Sequence, residues 1–385
     1  MAPESKPLVA LLFVPVLLLL VSAGSAKLLE YQTLVLAPLS NPPPLVSSTD
    51  GDDLSWNLES AEEVPVAEDG SASVQLTLHH RDSLHPAANS TPEALFRLRL
   101  ARDAARVSYG DGSITTGEFS TETLTFRRGT RVGRVAFGCG HDNEGLFVAA
   151  AGLLGLGRGR LSFPSQAGRR FGRRFSYCLV DRTSADSLRR RTSSIVFGDS
   201  AVPRSAVVFT PMVVNPRLDT FYYVELTGIS VGGARVPGVR AADFRLDPTT
   251  GKGGVIVDSG TSVTRLARPA YAALRDAFRA GAAGLRPAPV FSLFDTCYDL
   301  SGKSEVKVPT VVMHFKGVEA GAAAASNLSL PAENYMIPVD TDGVFCFAFA
   351  GTDGGISIIG NIQQQGFRVV FDGAASRVGF APGRC

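Results

Sequence analysis

The strongest chemical signal in this 385-residue sequence is an acid that an apolar stretch delivers into a turn of small and hydroxylated residues. Val255-Ile256-Val257 precedes Asp258-Ser259-Gly260-Thr261. A buried carboxylate is costly unless it is hydrogen-bonded, and the hydroxyls of Ser259 and Thr261, with nearby backbone N–H groups, can hold Asp258 in one orientation. Taken alone, the turn fits either an oriented catalytic acid or a purely structural turn.

Other motifs of known chemistry lack the context that their chemistry needs. Gly228-Ile229-Ser230-Val231-Gly232 has the Gly-x-Ser-x-Gly pattern of a hydrolase nucleophile, but no helical periodicity follows it, which favours a hairpin turn. The sequence contains neither a Walker A motif nor His-Glu-x-x-His. It also lacks Cys-x-x-Cys, so we expect no metal site and no cofactor.

The elements that position Asp258 are predicted to be short strands. Apolar runs alternate with turn residues throughout the chain after Tyr109, a texture typical of an all-β domain. One amphipathic helix is predicted from Arg268 to Ala280. Ile358-Ile359-Gly360 ends one predicted strand, and Leu153-Leu154-Gly155 repeats its apolar-apolar-Gly pattern. The repetition indicates a duplicated lobe.

The N-terminal region indicates the compartment. Residues 1–26 contain an apolar run interrupted by Pro15, a pattern that predicts a secretory signal peptide rather than a membrane anchor. We therefore expect an extracellular (apoplastic) protein, with the vacuole as the alternative, in which the sequons at Asn89 and Asn327 can carry N-glycans. The formal net charge of +2 argues against a nucleic-acid partner.

The region ahead of the predicted strands divides into three parts. Residues 27–73 are Pro-rich and acidic with little periodicity, which is typical of a flexible leader. Residues 74–80 alternate like a short strand. Residues 91–107 predict a basic amphipathic helix, which is either an ordinary surface helix or a pro-segment helix that covers an acidic cleft.

Several motifs occur together in the order of one known family. They are Leu76-Thr77-Leu78-His79-His80-Arg81-Asp82, Tyr109-Gly110-Asp111-Gly112-Ser113, Phe137-Gly138-Cys139-Gly140-His141, Asp258-Ser259-Gly260-Thr261, Phe294-Asp295-Thr296-Cys297-Tyr298 and Phe345-Cys346-Phe347. Together they resemble the pepsin-type aspartic proteases, and more closely the secreted plant branch typified by nepenthesin. The resemblance covers residues 109–385 and adds a plant-like pro-segment.

This resemblance implies an all-β, bilobal fold and a role for each motif. It divides the chain into a signal peptide (1–26), a pro-segment (27–107), a truncated first lobe with the flap (108–220) and a second lobe (221–385). Asp258 is then a catalytic carboxylate, supported by Ser259, Gly260 and Thr261. The flap that closes over a polypeptide substrate contains Tyr109, Gly110 and Asp111. In the family, two facing carboxylates share a proton, one activating water while the other protonates the scissile carbonyl.

The resemblance also implies how the five cysteines pair. It joins Cys297 to Cys346 and Cys178 to Cys385, and an oxidising compartment allows both disulfides to form. Cys139 is left as a free thiol, because its partner in the family lies in a region that this chain lacks.

The first catalytic loop of the family is missing from the sequence. Asp258 begins the only Asp-Ser/Thr-Gly motif, and the predicted helix leads directly into the flap. The first lobe is roughly fifty residues shorter than the second, although a duplication implies equal lobes. We rank three hypotheses: a shortened aspartic endopeptidase with little or no activity, a non-catalytic secreted binder or inhibitor, and a dimer with one Asp from each chain.

Overall fold

The computed structural model describes residues 31–36, 74–78, 104–108, 113–126, 129–145, 152–180, 192–204, 207–318 and 325–382. For residues 74–78 and 104–108 it describes the backbone alone. Most regular elements in these ranges are strands, so the all-β prediction is confirmed.

The strands and α-helices before Thr220 number eight and one within the described ranges. They are β1 (Tyr31–Val35), β2 (Val74–Leu78), β3 (Ala104–Ser108), β4 (Ile114–Thr125), β5 (Arg131–Glu144), α1 (Phe163–Gln166), β6 (Arg174–Cys178), β7 (Ser193–Phe197) and β8 (Val208–Val213).

The elements after Thr220 are more numerous and mostly shorter. They are β9 (Tyr223–Val224), β10 (Leu226–Val231), β11 (Ala234–Arg235), β12 (Val255–Val257), β13 (Thr264–Ala267), α2 (Arg268–Gly281), β14 (Arg286–Ala288), β15 (Cys297–Asp299), β16 (Glu305–Pro309), β17 (Val311–Lys316), β18 (Ala325–Leu330), β19 (Met336–Pro338), β20 (Val344–Phe347), β21 (Phe349–Thr352), β22 (Ser357–Ile359), α3 (Asn361–Gln364), β23 (Phe367–Asp372) and β24 (Arg377–Pro382).

A sheet of eleven strands joins the two halves of the chain. Its order is β2-β7-β6-β23-β24-β8-β9-β12-β22-β13-β21, so strands from before and after Thr220 are hydrogen-bonded to one another at three places within it. The junction of β6 with β23 places Phe175 opposite Phe371, and their rings stack at 4.7 Å between centroids. Both side chains are buried. The core is therefore shared between the halves rather than divided between them.

Four smaller sheets surround the large one. Strands β11-β10-β17-β18 and β14-β15-β20-β19 form two four-stranded sheets in the second half. Strands β3-β4-β5 form a three-stranded sheet in the first half, and β1 pairs with β16. Within the described strands, none of these sheets pairs with β12, which lies between β9 and β22 in the large sheet.

Helix α2 begins at Arg268, as the sequence predicts, and ends one residue beyond the predicted Ala280. Pro269 lies in its first turn, where the missing N–H costs nothing, and Tyr271, Leu274 and Phe278 form its buried face. Its 14 residues are too few to span a bilayer, and no helix in the described ranges is both long and apolar enough to do so.

Two expectations about the N-terminal region are wrong. Residues 104–107, predicted as the end of a helix, belong to strand β3, whose backbone pairs with β4 from Ile114 to Glu118. Residues 31–35, predicted as part of a flexible leader, form β1 on the edge of β16. A ladder with the distant β16 outweighs the local pattern at β1, and a ladder with the neighbouring β4 does so at β3. The rest of the predicted helix, residues 91–103, lies outside the described residues.

Candidate active site

Asp258 stands at the carboxyl end of a buried strand. The side chains of Val255, Ile256 and Val257 in β12 are all buried, and the strand runs parallel to β22 with Val257 opposite Ile359. The backbone N–H of Asp258 donates to the carbonyl of Ile359 at 3.1 Å. The parallel pair thus brings the ends of two strands together and fixes the backbone of the acid.

The loop after β12 holds both carboxylate oxygens of Asp258. The backbone N–H of Gly260 donates to Oδ1 at 2.8 Å, and the Thr261 hydroxyl donates to Oδ2 at 2.7 Å. Burial raises the pKa of Asp258 above its ordinary value, and the bonds from Thr261 and Gly260 offset only part of that rise. Gly260 and Thr261 are therefore both in contact with the carboxylate, and the carboxyl group retains its proton to higher pH than a free aspartic acid.

The residues that directly follow β22 also contact the Asp258 loop. The Asn361 N–H donates to the carbonyl of Thr261 at 2.8 Å, and its side-chain amide donates to the carbonyl of Ser259 at 3.0 Å. Gly360 passes so close to the loop that an added Cβ would lie 2.6 Å from the carbonyl carbon of Val263. The glycine of the apolar-apolar-Gly pattern is therefore required by the close approach of two backbones.

Tyr177 on β6 reaches the same loop from the first half of the chain, and no motif of the sequence indicates it. Its buried phenol donates to Oε1 of Gln364 and lines the same cavity as Asp258 and Ser259. Burial raises the pKa of Tyr177 well above its ordinary value, and the negative charge of Asp258 raises it further. Ser259, which the resemblance assigns to the junction of two catalytic loops, lies near this tyrosine in the cavity lining.

A cavity of about 30 Å³ lies beside Asp258. It is lined by Leu156, Gly157, Tyr177, Tyr222 and Ser259 among others, and the Tyr222 hydroxyl donates to the carbonyl of Leu156 at 2.9 Å. The space accommodates about one or two water molecules and no peptide. Both predicted apolar-apolar-Gly segments thus lie near Asp258. Leu156, which directly follows the first segment, lines the cavity, and Ile359 of the second accepts the hydrogen bond from the Asp258 N–H.

Among the described residues, no second carboxylate contributes to the shift in the pKa of Asp258. This agrees with the single Asp-Ser/Thr-Gly motif of the sequence. No group of three metal-ligating side chains occurs in the described ranges either. The geometry is that of one oriented acid rather than of a facing pair.

The predicted flap falls in a β-hairpin. Its two arms, β3 and β4, pair from Ser108 opposite Ile114 to Ala104 opposite Glu118. The residues that join them, including the predicted Tyr109, Gly110 and Asp111, lie outside the described residues. Residues 137–141, predicted as the strand beyond the flap, lie in β5, which pairs with β4.

The cysteines and sequons fall in both described and undescribed parts of the chain. Cys297 on β15 and Cys346 on the adjacent β20 form a disulfide, and Cys139 on β5 is a free thiol. Cys178 is also disulfide-bonded, while its predicted partner Cys385 lies outside the described residues. Asn327 is exposed on β18. Asn89 lies outside the described residues.

Comparisons with known proteins agree with this arrangement. One family model, described as "Xylanase inhibitor N-terminal", matches residues 100–199, and another, "Xylanase inhibitor C-terminal", matches residues 221–382. Aspartyl protease family protein 2 of Arabidopsis thaliana is 69% identical over 280 residues, and aspartic proteinase nepenthesin-1 of Nepenthes gracilis is 38% identical over 284 residues. The chain belongs to the plant pepsin-like aspartic protease family.

These alignments cover a larger share of this chain than of its plant pepsin-like relatives. The first alignment includes 73% of this chain and 55% of the Arabidopsis protein, and the second includes 72% of this chain and 60% of nepenthesin-1. The chain therefore spans little more than half the length of the curated relatives that it matches. A solved structure titled "Crystal structure of edgp" shares the fold with a TM-score of 0.56 at 21% identity, covering 78% of this chain and 82% of that one.

Proposed function

We propose that this chain is an aspartic endopeptidase polypeptide with an assembled second catalytic loop and, in the present form, little or no peptidase activity. The observation that carries the proposal is the carboxylate of Asp258, whose two oxygens accept hydrogen bonds from Gly260 and Thr261 at the end of a buried strand. A purely binding protein has no need for a carboxylic acid held this way in the interior, where it costs free energy.

The low activity follows from the chemistry of the reaction. Peptide hydrolysis at acidic pH needs a carboxylate to activate water and a carboxylic acid to protonate the scissile carbonyl. Asp258 can fill one of these roles at a time. Tyr177 and Tyr222, the tyrosines that line the same cavity, cannot act as the base, because burial raises the pKa of both phenols and keeps them protonated. Groups that act as a unit fail together when one is absent.

The proposal is tested by restoring the first loop. A segment with Asp-Thr/Ser-Gly from a full-length plant relative is inserted before Tyr109, and cleavage of a denatured protein is measured at acidic pH. We expect the restored protein to cleave, to be blocked by a pepstatin-type inhibitor and to lose activity with Asp258→Asn. The original chain should be at least about 10²-fold slower.

Two results would contradict the proposal. Pepstatin-sensitive cleavage by the original chain, abolished by Asp258→Asn and independent of protein concentration, would mean that one carboxylate is enough. Cleavage that rises with the square of protein concentration would support the hypothesis of a dimer with one Asp from each chain.

A non-catalytic inhibitor is the second candidate. It is favoured by the descriptions of the two matching family models, which name xylanase inhibitors, and by the small cavity beside Asp258. In that case the chain should bind a microbial glycosidase in a pull-down, and Asp258→Asn should leave binding unchanged. Failure to bind any tested glycosidase, together with activity in the restored protein, would decide for the endopeptidase.

We also propose that the protein enters the secretory pathway. The disulfide between Cys297 and Cys346 supports this, because disulfides persist in oxidising compartments. Expression in plant cells should yield a chain that begins near Lys27 and carries a glycan on Asn327. N-terminal sequencing and glycosidase treatment measure both features, and a protein that keeps residues 1–26 in the cytosol would contradict the proposal.

A further inference from the structure

The strand β1 pairs with β16, a strand of the second half of the chain, in a defined register. Tyr31 lies opposite Pro309, Thr33 opposite Lys307 and Val35 opposite Glu305 in an antiparallel ladder. Among the described strands, β1 is the only ladder partner of β16. An edge strand without a partner exposes unpaired backbone groups, which readily accept another extended segment.

The side chains of β1 alternate between the core and solvent. Leu34 is 1% exposed and lies opposite the buried Val306, whereas Val35 is 62% exposed. On the inward face with Leu34, the Gln32 amide donates to the carbonyl of Leu330 at 2.9 Å and to the hydroxyl of the buried Tyr335. The edge therefore offers one apolar site and, two residues away, one polar site for an extended peptide.

Further contacts fix both ends of the segment. The Tyr31 hydroxyl donates to the carbonyl of Gly281 at the end of α2, at 3.1 Å. The Leu36 N–H donates to the carbonyl of Ser304 at 3.0 Å, beyond the end of the ladder. Between them, the Lys307 ammonium donates to the Thr33 hydroxyl at 2.7 Å. These three bonds add to the backbone hydrogen bonds between β1 and β16.

We propose that the groove along β16 is a peptide-binding site whose occupant is residues 31–36, and that this segment remains bound after the chain is cut between it and β2. The groove is separate from the Asp258 cavity, because none of the residues that line the cavity contributes to it. It selects an extended segment with an amide and an aliphatic side chain two residues apart on one face, as Gln32 and Leu34 are.

The test uses the full chain with a recognition sequence for a site-specific protease inserted between Leu36 and Val74. After cutting under native conditions, size-exclusion chromatography and mass spectrometry report whether the segment travels with the rest of the protein. We expect the segment to stay bound, Leu34→Asp to release it and Val35→Asp to retain it. Release of the unaltered segment, or its retention with Leu34→Asp, would overturn the proposal.

A second measurement does not depend on the folding of the variants. A labelled synthetic peptide with the sequence of residues 31–36 is added in excess to the cut protein, and displacement of the resident segment is followed by mass spectrometry. We expect exchange with this peptide and none with a peptide in which Gln32 and Leu34 are replaced by Ala. Equal exchange with both peptides, or a dimer joined by exchanged β1 strands before cutting, would contradict the assignment of the segment to its own groove.

Discussion

The three-stranded sheet β3-β4-β5 and the second half of the chain are both built from paired strands, but they differ in how fully their large side chains are buried. In the second half, large side chains such as Phe347 and Phe315 are fully buried. In the three-stranded sheet, Phe119 is 46% exposed and Phe137 is 41% exposed. The buried Glu118 leaves Oε1 without a hydrogen-bond partner among the described residues.

This difference separates two requirements that usually appear together. A hairpin forms its ladder from neighbouring sequence, so β4 and β5 pair along most of their length. Burial of their outward-facing rings needs a further layer, and the described part of the chain supplies little of it. Asp258 is in a similar position, since its own loop is complete while the described residues provide no facing carboxylate.

The largest expected effect compares one phenylalanine from each region. Phe347 is 1% exposed and its ring stacks on Phe278 at 4.2 Å, so Phe347→Ala should lower the free energy of unfolding by about 3–5 kcal/mol. Phe119→Ala should change it by less than about 0.5 kcal/mol. Urea unfolding monitored by circular dichroism measures both. Equal losses would mean that the hairpin is packed as well as the second half.

The disulfide of the second half sets the next contrast. It closes a sequence separation of 49 residues, and replacing Cys297 and Cys346 together by Ala should cost about 2–5 kcal/mol. Cys139→Ala, in the three-stranded sheet, is the matched control and should be nearly neutral. Thiol labelling of the native protein should modify Cys139 alone. Labelling at Cys297 would show that the disulfide does not form.

Two glycines provide a smaller contrast in backbone packing. A Cβ at Gly360 would lie 2.7 Å from the carbonyl oxygen of Ser262, so Gly360→Ala should cost about 1–3 kcal/mol and disturb the Asp258 loop. At Gly138 on β5 no atom lies within 4 Å of an added Cβ, and Gly138→Ala should be tolerated. Thermal unfolding of both variants tests this, and a destabilised Gly138→Ala alone would reverse the comparison.

The smallest effect is a dependence of stability on pH. Because the fold raises the pKa of Asp258 from 3.8, the folded state binds a proton more tightly than the unfolded state. This contribution is fully present below the unfolded pKa and is lost as pH rises through the folded pKa. Asp258→Asn, which cannot ionise, should therefore raise the Tm at pH 7 and have little effect at pH 3.

Asp353 is the control of opposite sign. Its hydrogen bond and charge interaction with Arg268 lower its pKa, so its contribution is present at neutral pH and lost as pH falls. Asp353→Asn should not raise the Tm at pH 7. The same rise in Tm for both variants would point to a general effect of net charge rather than to burial of Asp258.

Local patterns in the sequence were sufficient for the Asp258 loop and for α2. The apolar run before Asp258 and the hydroxyls after it are adjacent in the chain, and the apolar positions of α2 follow one helical period. Tyr177 was not predictable in this way. It reaches the Asp258 loop from a strand about eighty residues earlier, and the sequence of β6, Arg-Phe-Ser-Tyr-Cys, gives no local sign of such a contact.

The errors at β1 and β3 have the same origin. Residues 31–35 lie in an otherwise aperiodic region, and residues 104–107 follow a helix-like stretch, so neither segment indicates a strand by itself. Residues 31–35 become a strand because the distant β16 offers an edge, and residues 104–107 because the neighbouring β4 does. An edge is a property of the folded sheet rather than of the local sequence.

The pairing of strands from the two halves in the eleven-stranded sheet has a consequence for synthesis on the ribosome. Strand β6 pairs with β23, and Arg174 contacts Asp372, 198 residues later in the chain. At about 5–20 residues per second, the first partner waits roughly 10 to 40 s for the second to be translated. During that interval Phe175 and Tyr177 lack Phe371, whose ring packs against both of them. We therefore expect the nascent chain to depend on a chaperone until its last strands emerge.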